Sequence, residues 1–213
     1  MTNRQRTLLA YLSVLAALLV TGFAWVVASP IGSSPDDDFH QTSIWCLTAG
    51  PGSACETRYL IDGTPAVQTH LALAKPCFAT HVGRSAGCQE LTSGRGFTER
   101  INTGSYPAGY YSFMHLFASD RVVVSVLAMR AVNVLLFTAL LGAVWALASA
   151  GVGRSMLVTL AVSMVPVGVF LIASVNPSAW GIAGISVLFF SLLGLGDVVD
   201  RARVLGLGAT AAV

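Results

Sequence analysis

Long apolar runs and one long polar interval alternate along this chain. Residues 7–29, 131–150, 156–175 and 179–196 carry apolar side chains almost without interruption. At a rise of about 1.5 Å per residue, runs of roughly 20 residues cross the hydrocarbon core of a bilayer as helices. The pattern predicts an α-helical polytopic membrane protein with about four transmembrane helices. Between the first two runs, residues 30–120 are polar and rich in Gly, Pro, Ser and Thr, as in Ala49-Gly50-Pro51-Gly52-Ser53 and Thr92-Ser93-Gly94-Arg95-Gly96. That interval is long enough for a loop domain, with residues 36–47 reading as helix and 57–61 and 66–71 as short strands. Residues 121–130 alternate in a way that predicts a helix lying in the membrane interface before the second span. Pro166 and Gly168 are expected to bend the third span. Residues 197–213 hold a charged segment and an apolar stretch too short to cross, which reads as a cytoplasmic tail or the start of a fifth span of a longer chain.

Charge sets the expected topology. Arg4 and Arg6 precede the first run and Arg154 sits between the second and third, so the N-terminus is expected in the cytoplasm and the large loop outside. Val27-Ala28-Ser29 resembles a cleavage site, but the run before it is long for a signal peptide and Pro30 would follow the cut, so an uncleaved anchor is expected. The chain is 54% hydrophobic and 10% charged with a formal net charge of +2, which excludes a nucleic-acid binder built on a basic patch. Arg in excess of Lys, among abundant Ala, Val, Gly and Leu, suggests a bacterial genome rich in G and C, so with its apolar runs the chain is expected in a bacterial plasma membrane.

Cys46, Cys55, Cys77 and Cys88 all fall in the polar interval. An even set in one loop predicts two disulfides and an oxidising compartment. Three pairings are open, of which Cys46–Cys55 with Cys77–Cys88 is the most local; a zinc site is the alternative, without a C-x-x-C pair to favour it.

Candidate chemistry concentrates at Ser33-Ser34-Pro35-Asp36-Asp37-Asp38-Phe39-His40. One reading is a helix start, with Ser34 as N-cap, Pro35 in the first turn and Asp37 completing a capping box. The other places Asp36, Asp37 and His40 on one helical face as a general-base group, or lets Asp36 and Asp38 hold a divalent cation such as Mg or Mn. Tyr106-Pro107-Ala108-Gly109-Tyr110-Tyr111 reads either as an aromatic belt at headgroup depth or as a stacking surface for a sugar ring or isoprenoid chain. Arg130 either snorkels from the second span or grips a lipid phosphate, with Asn133 one turn deeper. Asn176-Pro177-Ser178 either caps the fourth span or lines the same cleft as the acids. Little other polarity enters the spans, which argues against a transporter.

Pro35-Asp36-Asp37-Asp38-Phe39-His40 resembles the P-D-E-x-x-H pattern opening the first outer loop in a family of predicted bacterial multi-spanning membrane proteins, itself similar to the GT-C glycosyltransferases. Asp37 stands where the pattern has Glu. The Tyr106–Tyr111 stretch, Arg130 with Asn133, and Asn176-Pro177-Ser178 also look like patterns of that family. The resemblance implies a membrane glycosyltransferase that handles a polyprenyl-phosphate sugar. In it Asp36 or Asp37 would deprotonate the acceptor or bind a metal, His40 would support the acids, and Arg130 would hold the donor phosphate. Tyr106, Tyr110, Asn133 and Asn176 would contact substrate. Because such enzymes have seven or more spans and this chain offers about four, the resemblance implies that it is expected to match the N-terminal portion of one. The alternative is a non-catalytic, membrane-anchored binding or accessory protein of the cell envelope.

Overall fold

A computed structural model describes residues 3–47, 55–74, 76–78, 81–89, 94–197 and 200–211. The expected turns at Ala49–Ser53 and Thr92-Ser93 lie outside the described residues. In chain order the elements are α1 (Asn3–Ala28), α2 (Asp37–Trp45), β1 (Thr57–Tyr59), β2 (Pro65–His70), α3 (Leu71–Ala74), a 3-10 turn (Ala86–Cys88), β3 (Arg95–Thr98), α4 (Ala108–His115), α5 (Val122–Leu147), α6 (Ala150–Ser163), α7 (Pro166–Ile172), α8 (Ser178–Leu195) and α9 (Arg201–Ala211). They fall into two compact units: a helical unit of Met1–Val26, Ala131–Ala173 and Ser178–Val213, and a loop unit of Val27–Arg130 with Ser174–Pro177.

Among the described residues of the chain, three helical stretches are long and apolar enough to cross a membrane, Leu8–Ala28, Val122–Leu147 and Ser178–Leu195. A fourth joins them if α6 and α7, which meet at 101°, count as one broken span. The expected third span is therefore not one continuous helix. Pro166 starts α7 at a position where its missing N–H costs nothing, and Met164 and Val165 leave the helical path before it. Residues 121–130 are not a separate interfacial helix either. They run without a break into the second span, because no Pro or Gly interrupts Val122–Leu141.

Helices α1 and α5 pack closely through small residues, as membrane helices do. A Cβ on Gly22 would lie 2.5 Å from Val134 Cγ1. Further along, the Tyr11 hydroxyl donates to the Gly142 carbonyl at 2.7 Å and its ring meets Trp145 edge to face. Helix α9 folds back on α8: Leu207 is buried against Gly194, and the hydroxyls of Ser191 and Thr210 bond at 2.9 Å. Large side chains such as Val20, Phe23, Ile185 and Phe189 stay exposed, which suits lipid as the surrounding solvent.

The loop unit is mixed. Its sheet is antiparallel in the order β1-β2-β3, with Thr57 opposite Val67 and Val67 opposite Thr98. Disulfides join Cys46 to Cys55 and Cys77 to Cys88, with Cα atoms 5.3 and 6.2 Å apart. The first ties the end of α2 to the strand edge, where Cys46, Val67 and Ile101 form a small core. Helix α4 packs on α2 and buries Tyr110, Tyr111 and Met114.

Candidate functional site

The acidic stretch does not form the expected capping box. Asp36 adopts a left-handed backbone, φ 55°, and is itself the cap residue of α2, without a capping bond from its side chain. The Ser34 carbonyl accepts from the Asp37 N–H at 3.1 Å, while the Ser34 hydroxyl is buried without a hydrogen-bond partner. The helix starts at Asp37 after a left-handed Asp36, two residues later than a Ser34 cap requires, and adjacent helical residues point about 100° apart, so the three carboxylates part company.

Asp36 and Asp38 turn to Arg100. Its Nη2 donates to Asp36 Oδ1 at 2.6 Å and to Asp38 Oδ1 at 3.2 Å, and its Nε donates to Asp38 Oδ2 at 2.5 Å. Among the described residues no group of three or more His, Cys, Asp or Glu side chains converges. As placed, Asp36 and Asp38 hold a guanidinium and lack the further oxygen ligands a divalent cation needs, so they do not fit one.

Asp37 turns inward and is fully buried. Its Oδ2 accepts from the Gly32 N–H at 3.0 Å and from Arg130 Nη2 at 3.3 Å, while Oδ1 has no hydrogen-bond partner. Gly32 is required there: its φ is +79°, and a Cβ would lie 2.5 Å from Pro76 Cγ. Burial pushes the Asp37 carboxyl up to about 6, against the opposing pull of Arg130 and the Gly32 N–H. The Gln41 amide, one turn on, also favours the charged form, although neither of its polar atoms makes a hydrogen bond of ordinary geometry.

Arg130, 1% exposed, is the companion of that carboxylate. Its Nη1 donates to the Ser29 carbonyl at 2.6 Å and its Nη2 to the Pro30 carbonyl at 2.9 Å, so it also closes the C-terminal end of α1. Arg130 and Ser29 line a cavity of about 290 Å³ whose other walls include Val27, Ile31, Val123, Val126, Leu127 and Gln89. The Ser29 hydroxyl is buried and has no hydrogen-bond partner. Apolar walls around a guanidinium, an amide and a hydroxyl suit an amphipathic molecule with an anionic end.

His40 is 2% exposed and its Nδ1 lies 2.9 Å from the Tyr111 hydroxyl. Burial lowers its pKa to about 4, so the imidazole is neutral at pH 7; Asp36 and Asp38 oppose that shift and Arg100 adds to it. Burial likewise raises Tyr111, which stays a phenol. The Tyr106 ring stands edge-on to His40 at 5.2 Å, and Tyr110 is buried edge-on to Tyr111. Asn176 Nδ2 donates to the Pro35 carbonyl at 3.0 Å, so the turn before α8 meets the acidic stretch.

The loop unit thus brings together Asp36, Asp37, Asp38, His40, Tyr106, Tyr110, Arg130 and Asn176. Asn133 belongs to the helical unit, where its Oδ1 accepts from the Trp180 indole at 3.0 Å. Sequence reasoning missed Arg100 and Ser29. Tyr111 lay within the aromatic stretch already singled out, whereas Arg100 had no local signal pairing it with acids 62 and 64 residues earlier.

The sequence model of a family described as predicted membrane protein (DUF2142) matches residues 19–213. No curated protein and no solved structure matches the chain.

Proposed function

This chain belongs to the DUF2142 family of predicted membrane proteins, and we propose that it handles a lipid-linked sugar at the membrane surface as a GT-C-type glycosyltransferase. The observation that carries this reading is Asp37. It is a buried carboxylate raised to about 6, held on one oxygen by Arg130 and Gly32, with the other oxygen unpartnered. A base poised near neutral pH accelerates deprotonation of a hydroxyl by about a hundred- to ten-thousand-fold. The Asp37 Oδ1 takes the acceptor proton as the acceptor oxygen attacks the anomeric carbon and the polyprenyl phosphate leaves.

The cavity beside Arg130 supplies the complementary part. Its guanidinium and the Ser29 hydroxyl meet the lipid phosphate, and the valines and leucine of the wall meet the first isoprenoid carbons. His40, neutral and bonded to Tyr111, positions the start of α2 rather than carrying charge. Asp36 and Asp38 keep Arg100 at the same helix start. In this reading the loop faces the oxidising side of a bacterial plasma membrane and the N-terminus the cytoplasm, which its disulfides and the arginines at the start of α1 support.

A second reading has one specific observation in its favour: Arg130 already satisfies two backbone carbonyls and Asp37. That is the work of a structural keystone, and it suits a non-catalytic envelope protein anchored by its helices. Labelled polyprenyl-phosphate sugar supplied to membranes separates the two. On the transferase reading, Asp37→Asn loses transfer by at least about a hundredfold per folded molecule while Asp37→Glu, the residue of the related pattern, retains it. Ser29→Ala removes a hydroxyl that bonds nothing among the described residues and raises the KM for the lipid with little effect on kcat. Transfer that is equal in folded Asp37→Asn and wild-type protein rules out the base.

A further inference from the structure

A second cavity of the loop unit, about 350 Å³, opens beside Tyr106 and has a different chemistry. Leu47, Tyr59, Pro65, Asn102, Thr103 and Tyr106 line it, with no charged side chain among the described residues. Tyr59 is 66% exposed and presents its ring freely, while Tyr106, 42% exposed, packs one side on Phe39 and His40 and presents the rest.

Both rings sit on rigid supports. Tyr59 ends β1 and pairs with Pro65 across the hairpin, which closes through the Gly63 N–H to Leu60 carbonyl bond at 2.9 Å. Tyr106 ends a loop organised by Asn102, whose Oδ1 accepts from the N–H groups of Gly104 and Tyr106 and whose Nδ2 donates to the Tyr106 carbonyl at 3.1 Å. The Asn102 N–H in turn donates to Ser43 of α2 at 2.8 Å. The Asn102 amide is spent on its own loop. The hydroxyls of Tyr59, Thr103 and Tyr106 make no hydrogen bond among the described residues and are open to a ligand.

The geometry points to this cleft as a binding site for a neutral saccharide ring. A pyranose has weakly polarised C–H faces that stack on aromatic rings and a rim of hydroxyls that both donate and accept, which matches two exposed tyrosines and their hydroxyls. The uncharged lining disfavours phosphates, uronic acids and acidic peptides, whose charge would be left without a partner. As the place where a sugar acceptor lies, the cleft rests on the transferase reading. As a saccharide site, it stands on its own residues.

The test reads binding, not transfer. The full chain, in nanodiscs, is titrated with mannotriose, galactotriose, arabinotriose and maltotriose, with trigalacturonate and a proline-rich peptide as controls, by saturation-transfer NMR. At least one neutral trisaccharide is expected to bind saturably, Tyr59→Ala to weaken it about tenfold and Tyr59→Phe, which keeps the ring and loses the hydroxyl, to weaken it by a smaller factor of about threefold. Tyr59 is exposed at a strand end, so its truncation leaves the loop folded; Tyr106→Ala, whose ring touches His40, is expected to weaken binding similarly. Absence of saturable binding by every neutral sugar, an unchanged affinity in Tyr59→Ala, or displacement by trigalacturonate or the peptide overturns the site. Binding without sugar transfer supports the cleft while counting against the enzyme; transfer without binding of any neutral sugar overturns the cleft alone.

Discussion

Two side chains a single turn apart in α2 titrate in opposite senses, and that makes the loop's response to acid a diagnostic. Asp37 is raised by burial, so its contribution to stability is complete below the ordinary carboxylate value of 3.8 and is lost as the pH climbs through about 6. His40 is lowered by burial, so its contribution is complete above 6.5 and is lost as the pH falls through about 4. Each is worth up to about 3 kcal/mol over its window, and in the wild-type protein they largely offset between pH 4 and 6.5. His40→Gln is expected to expose the carboxylate's trend, with thermal stability falling from pH 4 to pH 6; Asp37→Asn should expose the imidazole's, with stability falling from pH 6.5 to pH 4. Melting curves of the two variants that shift in the same direction with pH would show that these groups are not buried as described.

The partner of Asp37 gives a second residue-level test. Removing one member of a buried ion pair leaves the other charged and uncompensated, at a cost of roughly 3–5 kcal/mol. Because burial already disfavours the ionised Asp37, Asp37→Asn is expected to change loop stability at pH 7 by much less than that; Arg130→Met, which leaves the buried carboxylate unpaired and the Ser29 and Pro30 carbonyls without their donor, carries the full cost. The double variant should fall short of the summed losses by at least about 1 kcal/mol. Strict additivity, measured by protease resistance of the loop, argues that the pair does not interact.

At the level of elements, α2 is held at both ends. Its start carries Arg100, Asn176 and Arg130; its end carries the Cys46–Cys55 bridge, which closes a loop with a sequence separation of 9. Opening that bridge with Cys55→Ser costs roughly 2–3 kcal/mol by chain entropy, so the variant's loop should be cut by protease at markedly lower concentration than the wild type. The helical pair α1–α5 makes a different demand. Gly22→Ala places a methyl group against the branched side chain of Val134, which cannot swing aside, and should destabilise by about 1–3 kcal/mol. Adding Val134→Ala returns the lost space, and a failure of that change to restore the melting temperature removes the contact as the cause.

For the whole molecule, the apolar pattern located the helices well because a bilayer requires long uninterrupted runs, and α1, α5 and α8 follow them. It misjudged the join before α5, since amphipathic and fully apolar turns form one helix when no Pro or Gly intervenes. It also overlooked β3, four residues whose strand character comes from pairing with β2 rather than from a pattern of their own. The cluster of acids was legible as a candidate, but not which acid turns inward. That depends on one backbone angle at Asp36, and on an arginine brought in by the fold to hold the other two.

The disulfides carry a consequence for biogenesis. Each joins a cysteine to the next one in sequence, Cys46 to Cys55 and Cys77 to Cys88. That is the pairing an oxidant produces when it meets thiols one after another as a nascent chain emerges. The bonds need no reshuffling, so a host stripped of its disulfide isomerase but not of its oxidase should still yield the correctly bridged loop. Peptide mapping of protein from such a host checks this: both bridges are expected in the amounts seen in the parent strain.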